Sequence, residues 1–393
     1  MTRIVSQTTP SENAPYIASV DLMRGLVIVL MALDHVRGFF TDADFSSTDL
    51  SRTNAALFLT RWITHLCAPA FVFLAGTSAF LSGARGLDRK HLSIRLFTRG
   101  LWLVVLELTV VRFSWFFHLD YSVMDLQVIW ALGWSMVALS ALIYLPPWGI
   151  TAFGVGMILT HNLLDGIRLE DFQLADGSLT WQGWLLSVLH IPHFPVVYPL
   201  IPWIGVMAAG YAFGPLMLLP SRIRRKFAIG FGVVSITAFV VLRAYNEYGD
   251  PGPWSQQEAA LFTLLSFLNT TKYPPSLLYL LMTLGPMFLL LSLFERGHAT
   301  VGRFFITFGR VPMFFYLIHL YVIHGLVLAF AAAMGANVSA FMTSSWKFPP
   351  WWGFSLPVVY LMWMAVLALL YPVCRWFSGV KSRHKGSWWT PYV

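Results

Sequence analysis

Apolar runs of helical length recur from residue 17 onward, separated by short polar stretches. Their spacing predicts membrane-crossing helices at 17–40, 55–82, 92–114, 124–145, 148–165, 197–219, 226–244, 274–295, 311–334 and 354–377. A bilayer core asks for runs of about 18 or more apolar residues, and the weak alternation of barrel strands is absent. Segments 181–191 and 255–269 read as short interfacial helices within the long connections 166–196 and 245–273. The pattern therefore predicts an all-α fold, a polytopic integral membrane helical bundle of about ten spans. It forms one domain, 17–380, between a polar tail at 1–16 and a basic tail at 381–393.

The first run breaks its own pattern. It reads YIASVDLMRGLVIVLMALDHVRGFF, with Asp21 and Arg24 near its start and Asp34, His35 and Arg37 deep along it. A charge in a bilayer costs at least ~2.5–3.5 kcal/mol and usually faces a bundle interior or a wet cavity. Helical geometry puts Asp21, Arg24, Ile28 and His35 within roughly 60° of one another, a polar seam from one surface toward the middle. Adjacent residues point ~100° apart, so Asp34 is expected to pair with Arg37 or another helix rather than with His35.

Composition agrees with the hydropathy. The 393 residues are 57% hydrophobic and 11% charged, against roughly 25% charged in a soluble domain. Basic residues alternate with the spans: Arg85, Arg89, Lys90, Arg95 and Arg99, then Arg222, Arg224, Arg225 and Lys226, then Arg296, Arg303 and Arg310, then the tail. That bias predicts both termini inside, in the plasma (inner) membrane of a bacterium. The net charge of +8 then reflects topology and anionic lipid, and no nucleic-acid surface is expected. Residues 1–16 show no cleavable signal. Cys67 and Cys374 fall in separate spans, which excludes a disulfide framework and a cysteine metal pair; no metal is expected. Tryptophans such as Trp115, Trp148, Trp203, Trp254, Trp351 and Trp352 are expected at the membrane interfaces. Glycines 154, 156, 205 and 210 read as packing residues.

Depth counting collects chemistry in one slab. His35 lies about 16 Å beyond Arg24 along the helix, and His65, His319, His324 and Glu107 come out at similar depth. A neutral, oriented imidazole suits a general base or a nucleophile. Pro69 frees a backbone carbonyl near His65, which suits a cavity wall. Pro274 and Pro275 do the same beside Lys272. Two rival readings use the same groups: a proton-coupled transporter with a His/acid relay, and a haem carrier using histidines from two spans.

Several stretches together carry a resemblance. Ser19-Val20-Asp21-Leu22-Met23-Arg24-Gly25-Leu26, Met31-Ala32-Leu33-Asp34-His35 and Ala68-Pro69-Ala70-Phe71-Val72-Phe73-Leu74-Ala75-Gly76 resemble the catalytic-domain family of heparan-α-glucosaminide N-acetyltransferase, especially its bacterial branch. Ile201-Pro202-Trp203-Ile204-Gly205, Lys272-Tyr273-Pro274-Pro275-Ser276 and Phe308-Gly309-Arg310-Val311-Pro312 match as well. The resemblance implies a multispan enzyme passing acetyl from cytoplasmic acetyl-CoA to a sugar amine or hydroxyl on the far side. In that family the catalytic histidine follows the first span, but this chain has no histidine between 36 and 64. The role is therefore expected of His35, as nucleophile or base, with His65 as second proton carrier and Asp34 and Glu107 as orienting acids. Arg24, Arg310, His319 and Lys272 are the candidate donor-binding residues. Expected partners are the acyl donor, a glycan or amino-sugar acceptor and lipids; a homodimer is left open.

Overall fold

The computed structural model describes residues 16–296, 301–343, 347–384, 386–390 and 392. Most of the polar tail 1–16 and part of the basic tail, Lys385 included, lie outside them. The described residues form helices and no strands, with only isolated bridges between loops. In chain order the helices begin with α1 (Ala18–Phe40), α2 (Ala55–Thr64) and α3 (Cys67–Ala84). Next comes α4 (Arg89–Leu106), which runs through a π-helical turn, Glu107–Val111, into α5 (Arg112–Phe116). Then follow α6 (Val128–Leu142), α7 (Pro147–Thr160), α8 (Trp181–Leu189), α9 (Trp203–Phe213) and α10 (Ser221–Tyr245). The last five are α11 (Ala260–Leu268), α12 (Leu277–Phe294), α13 (Val301–Gly309), α14 (Pro312–Ala333) and α15 (Leu356–Arg383).

Helices occupy all ten predicted segments, and α8 and α11 occupy the two predicted interfacial ones. Among the described residues five runs are long and apolar enough to cross a membrane: Ala55–Ala84, which joins α2 to α3, and α10, α12, α14 and α15. The others are short, like α6, α7 and α9, or carry charge, like α1 and α4. Helix α13 lies between the predicted spans 274–295 and 311–334, where the hydropathy pattern shows only a connection. Its aromatic face, Phe304 and Phe308, packs on Tyr371 of α15 and Phe315 of α14.

The first helix can carry charge because it is the central one. Its buried residues, among them Met23, Val27, Ile28, Ala32, Val36 and Phe39, surround the axis, and α2, α3, α12, α13, α14 and α15 pack against it. Its charged groups therefore meet protein rather than lipid.

Glycine sets how closely the helices approach. A Cβ on Gly25 would sit 1.8 Å from the Phe305 carbonyl oxygen, and one on Gly309 1.9 Å from that of Asp21, so α1 and α13 cross backbone to backbone. Gly76 and Gly210 do the same for α3 and α9, where Thr77 Oγ1 also donates to the Gly210 carbonyl at 2.9 Å. Such small-residue crossings are how helices associate without hydrophobic driving force. Gly154 and Gly205 also meet, but Gly156 faces open space, contrary to its expected packing role. The aromatic belt needs a similar correction. Trp148 and Trp351 are exposed, whereas Trp115, Trp203 and Trp352 are buried in the bundle. Between α2 and α3, Pro69 lacks the N–H that would engage the His65 carbonyl; Tyr279 Oη donates to that oxygen instead, at 2.9 Å.

The close crossing yields a test. Gly309→Ala should lower the melting temperature of the detergent-solubilised protein by the equivalent of ~1–3 kcal/mol of overpacking. Gly156→Ala should leave it unchanged or slightly raised. Equal melting of the two variants would contradict the α1–α13 contact.

Candidate active site

Two cavities open at opposite ends of the bundle, and α12 measures their separation. Lys272 and Tyr273, just before its first turn, line one cavity. At its far end Glu295 accepts a hydrogen bond from Ser19 Oγ at 2.5 Å, beside Ile17 and Val20, which line the other. Eighteen helical residues span about 27 Å.

The larger cavity, about 1540 Å³, is arginine-rich. Arg24 (α1), Arg85, Arg95 and Arg99 (α4), Arg303 and Arg310 (α13 and its end), and Arg375 and Lys381 (α15) line it, with Asp21 the one acid among the described lining residues. Arg24 donates to Asp21 Oδ1 at 3.1 Å and to Ser78 Oγ, so its charge is held in place. Arg310 leans on Tyr16, with Nη2 3.4 Å from the phenol oxygen. The buried Nε of Arg99 reaches no acceptor among the described residues. Further in, the wall turns apolar: Phe71, Ala75, Ile129, Leu132, Met313 and Tyr316. Arg95 and Arg99, spaced i, i+4, carried a sequence signal for a cationic helix face; they had been read for topology alone.

Directly behind Tyr316 stand two histidines. His319 stacks edge-on to Tyr316 with ring centroids 5.5 Å apart. Its Nε2 lies 2.7 Å from His35 Nδ1, with the rings near-parallel at 4.9 Å. His319 Nδ1 faces the carbonyls of Tyr316 (2.7 Å) and Phe315 (3.0 Å). Those oxygens only accept, so Nδ1 carries the proton. With both rings neutral, His319 Nε2 then accepts from His35 Nδ1–H, and the lone pair of His35 is left on Nε2. No hydrogen bond reaches that nitrogen among the described residues. Trp115 closes the other side of the ring, edge-on at 5.3 Å. The arrangement offers one half-buried, oriented nitrogen with a free lone pair.

Asp34 points elsewhere, as helix geometry required. Its carboxylate accepts from Arg37 at 3.0 Å, from Arg61 at 2.6 Å and from Thr64 at 3.0 Å. Arg61 lines the second cavity, about 460 Å³, with His65, Lys272, Arg243, Asp250 and a set of hydroxyl-bearing residues. The chain of contacts thus runs from the arginine-rich cavity through Tyr316 and His319 to His35, and from neighbouring Asp34 through Arg61 to the distal cavity.

The expected residues divide accordingly. Arg24 and Arg310 share the first cavity. Lys272 belongs to the distal one, and His319 faces His35 rather than either cavity. His65 lines the distal cavity with a buried Nδ1 that reaches no partner. Among the described residues Glu107 meets no histidine: its Oε1 accepts from the Gln127 amide at 2.8 Å, ahead of α6. His324 is satisfied by the carbonyls of Ser114 and Phe341 and joins no relay. The contact between His35 and His319 leaves no space for iron between their rings, and the described residues hold no cluster of three or more His, Cys, Asp or Glu around a metal position. Arg61 was the main omission; no single-helix pattern distinguishes it from a snorkelling arginine.

A search of curated proteins found no match. The profile of one family, described as "Heparan-alpha-glucosaminide N-acetyltransferase, catalytic", matches residues 17–243, more than half of the chain. The match takes in α1 with Arg24, Asp34 and His35, the α2–α3 bend with Arg61 and His65, and the π-helical turn with Glu107. On that match the chain belongs to the heparan-α-glucosaminide N-acetyltransferase catalytic-domain family, whose activity is of the membrane acetyltransferase type.

Proposed function

We propose that this protein takes acetyl-CoA into the arginine-rich cavity and passes the acetyl group, at His35, to a sugar amine or hydroxyl presented from the distal cavity. The observation that carries the reading is the cavity itself, a cationic rim with an apolar wall whose Tyr316 packs against the imidazole pair behind it. The diphosphate and 3′-phosphate of CoA complement guanidinium groups through charge-assisted hydrogen bonds. An apolar neck suits the uncharged pantetheine arm and thioester. Read by the positive-inside rule, the basic end faces the cytoplasm. Both termini are then inside, with ten spans in a bacterial plasma membrane, and the acetyl group alone makes the crossing.

In this reading His35 Nε2 takes the proton from the acceptor amine or hydroxyl as that group attacks the thioester carbonyl. The C–S bond breaks, the proton passes to the departing thiolate, and acetylated sugar and CoA result. The same nitrogen suits a two-step route through an acetyl-imidazole resolved by the acceptor. His319 is a positioning residue that fixes the tautomer. Asp34 anchors α1 to α2. His65 carries protons at the distal end, and Glu107 holds the start of α6, whose Val128 and Ile129 form part of the donor wall. Lys272, once placed with the donor, serves the acceptor.

Purified protein given labelled acetyl-CoA should transfer label to an amino sugar, and His35→Ala should lower the rate about 10²–10⁴-fold with acetyl-CoA still bound. Full activity in that variant would remove His35 from the mechanism. Label retained on wild-type protein without acceptor identifies the two-step route. His319→Ala should lower kcat with little change in KM for acetyl-CoA, whereas a structural role alone would move both or neither.

The donor cavity makes a separate prediction. Arg99→Ala or Arg310→Ala should weaken acetyl-CoA binding by about 10–100-fold, the worth of one charged hydrogen bond, and wild-type affinity should fall as salt rises. Unaltered affinity in both variants would empty this cavity of its assigned donor.

A further inference from the structure

The distal cavity holds more positive charge than its own acids neutralise. Arg37 and Arg61 share the single carboxylate of Asp34. Lys272 adds a third cation: its Nζ lies 5.1 Å over the Tyr273 ring and has no carboxylate partner among the described residues. The other charged pair in the wall is already occupied by the fold. Arg243 donates to the carbonyls of Gly252 (2.8 Å), Phe267 (3.0 Å), Ser266 (3.1 Å) and Asn269 (2.6 Å). Asp250 accepts from Thr271 N (2.8 Å), Gly252 N (2.9 Å) and Ser276 Oγ (2.6 Å). Counted with the Arg37–Asp34 pair behind the wall, three cations against one available carboxylate leave two positive charges in excess, and Arg61 and Lys272 are the ones that line the space. A second observation concerns the same wall: His65, 4% exposed, lines it, and its buried Nδ1 meets no hydrogen-bond partner among the described residues. Uncompensated charge in a partly buried wall is costly, and its best complement is a cluster of anionic oxygens.

We propose that the distal cavity binds a phosphate, sulfate or carboxylate carried by the acceptor, held by Lys272 and Arg61, with His65 hydrogen-bonding the amine or hydroxyl beside it. The volume, about 460 Å³, suits one amino sugar with its anion, and Ser46, Thr48 and Thr270 offer hydroxyls to its ring. The proposal rests on the acetyl-transfer reading for the identity of the ligand as acceptor, though not for the binding itself. The anion has two sources, a soluble sugar or a lipid-linked phosphate.

The test measures binding to the purified protein of glucosamine, of glucosamine 6-phosphate, and of polyprenyl phosphate in phosphatidylcholine vesicles. Acetyl-CoA binding and transfer are followed on the same samples. At least one anionic probe should bind saturably and about tenfold or more tighter than glucosamine. Lys272→Met should weaken it about 10–100-fold, and Lys272→Arg should restore it. The preferred anionic probe identifies the source. Anionic probes that bind no tighter than glucosamine, or that bind Lys272→Met unchanged, overturn the proposal even if acetyl transfer is robust. Lys272-dependent binding without any acetyl transfer upholds the anion site and sinks the transferase reading instead.

Discussion

One carboxylate organises the middle of this bundle. Asp34 receives Arg37 from its own helix and Arg61 and Thr64 from the next, so it fixes the rotation of α1 against α2. A buried ion pair is a weak source of net stability, because desolvation offsets most of the attraction, but removing one partner leaves the others stranded. Here the stranded groups would be two guanidinium ions near the centre of a membrane protein. The pairing therefore specifies an arrangement more than it stabilises one. Because successive helical residues diverge by about 100°, turning Asp34 toward α2 turns His35 toward α14, where His319 waits.

The two cavities differ in ways that match the two halves of a group transfer. One is roomy, ringed with arginine and apolar at depth; the other is smaller and lined with hydroxyls and a few uncompensated cations. Between them stands a short barrier of packed side chains, Tyr316, His319, His35 and Trp115. The imidazole pair stands in this partition rather than in either cavity.

Tight glycine crossings give this barrier its rigidity. Where Gly25 meets α13 and Gly309 meets α1, the backbones touch, and α13 is held along the first turns of the helix that carries His35. The same crossing brings Arg303 and Arg310 to the arginine-rich cavity. A helix absent from the hydropathy pattern thus builds part of the site.

The sequence by itself determined the helical segments other than α13, where charge violates the apolar pattern, and that Asp34 and His35 must face different neighbours. Those properties depend on residues a few positions apart, whose geometry one helix fixes alone. It also carried stretches inside the family match, from Asp21-x-x-Arg24-Gly25 to Ala68-Pro69-Ala70. Only the tertiary structure decided that Arg61 answers Asp34, that His319 lies against His35 rather than in the arginine-rich cavity, that Lys272 and Arg310 line opposite cavities, and that Glu107 holds a loop amide. Each of these pairings joins residues tens to hundreds of positions apart. Depth along separate helices was legible to within several Å, but which faces turn toward each other is set by packing, which no periodicity along a single helix encodes.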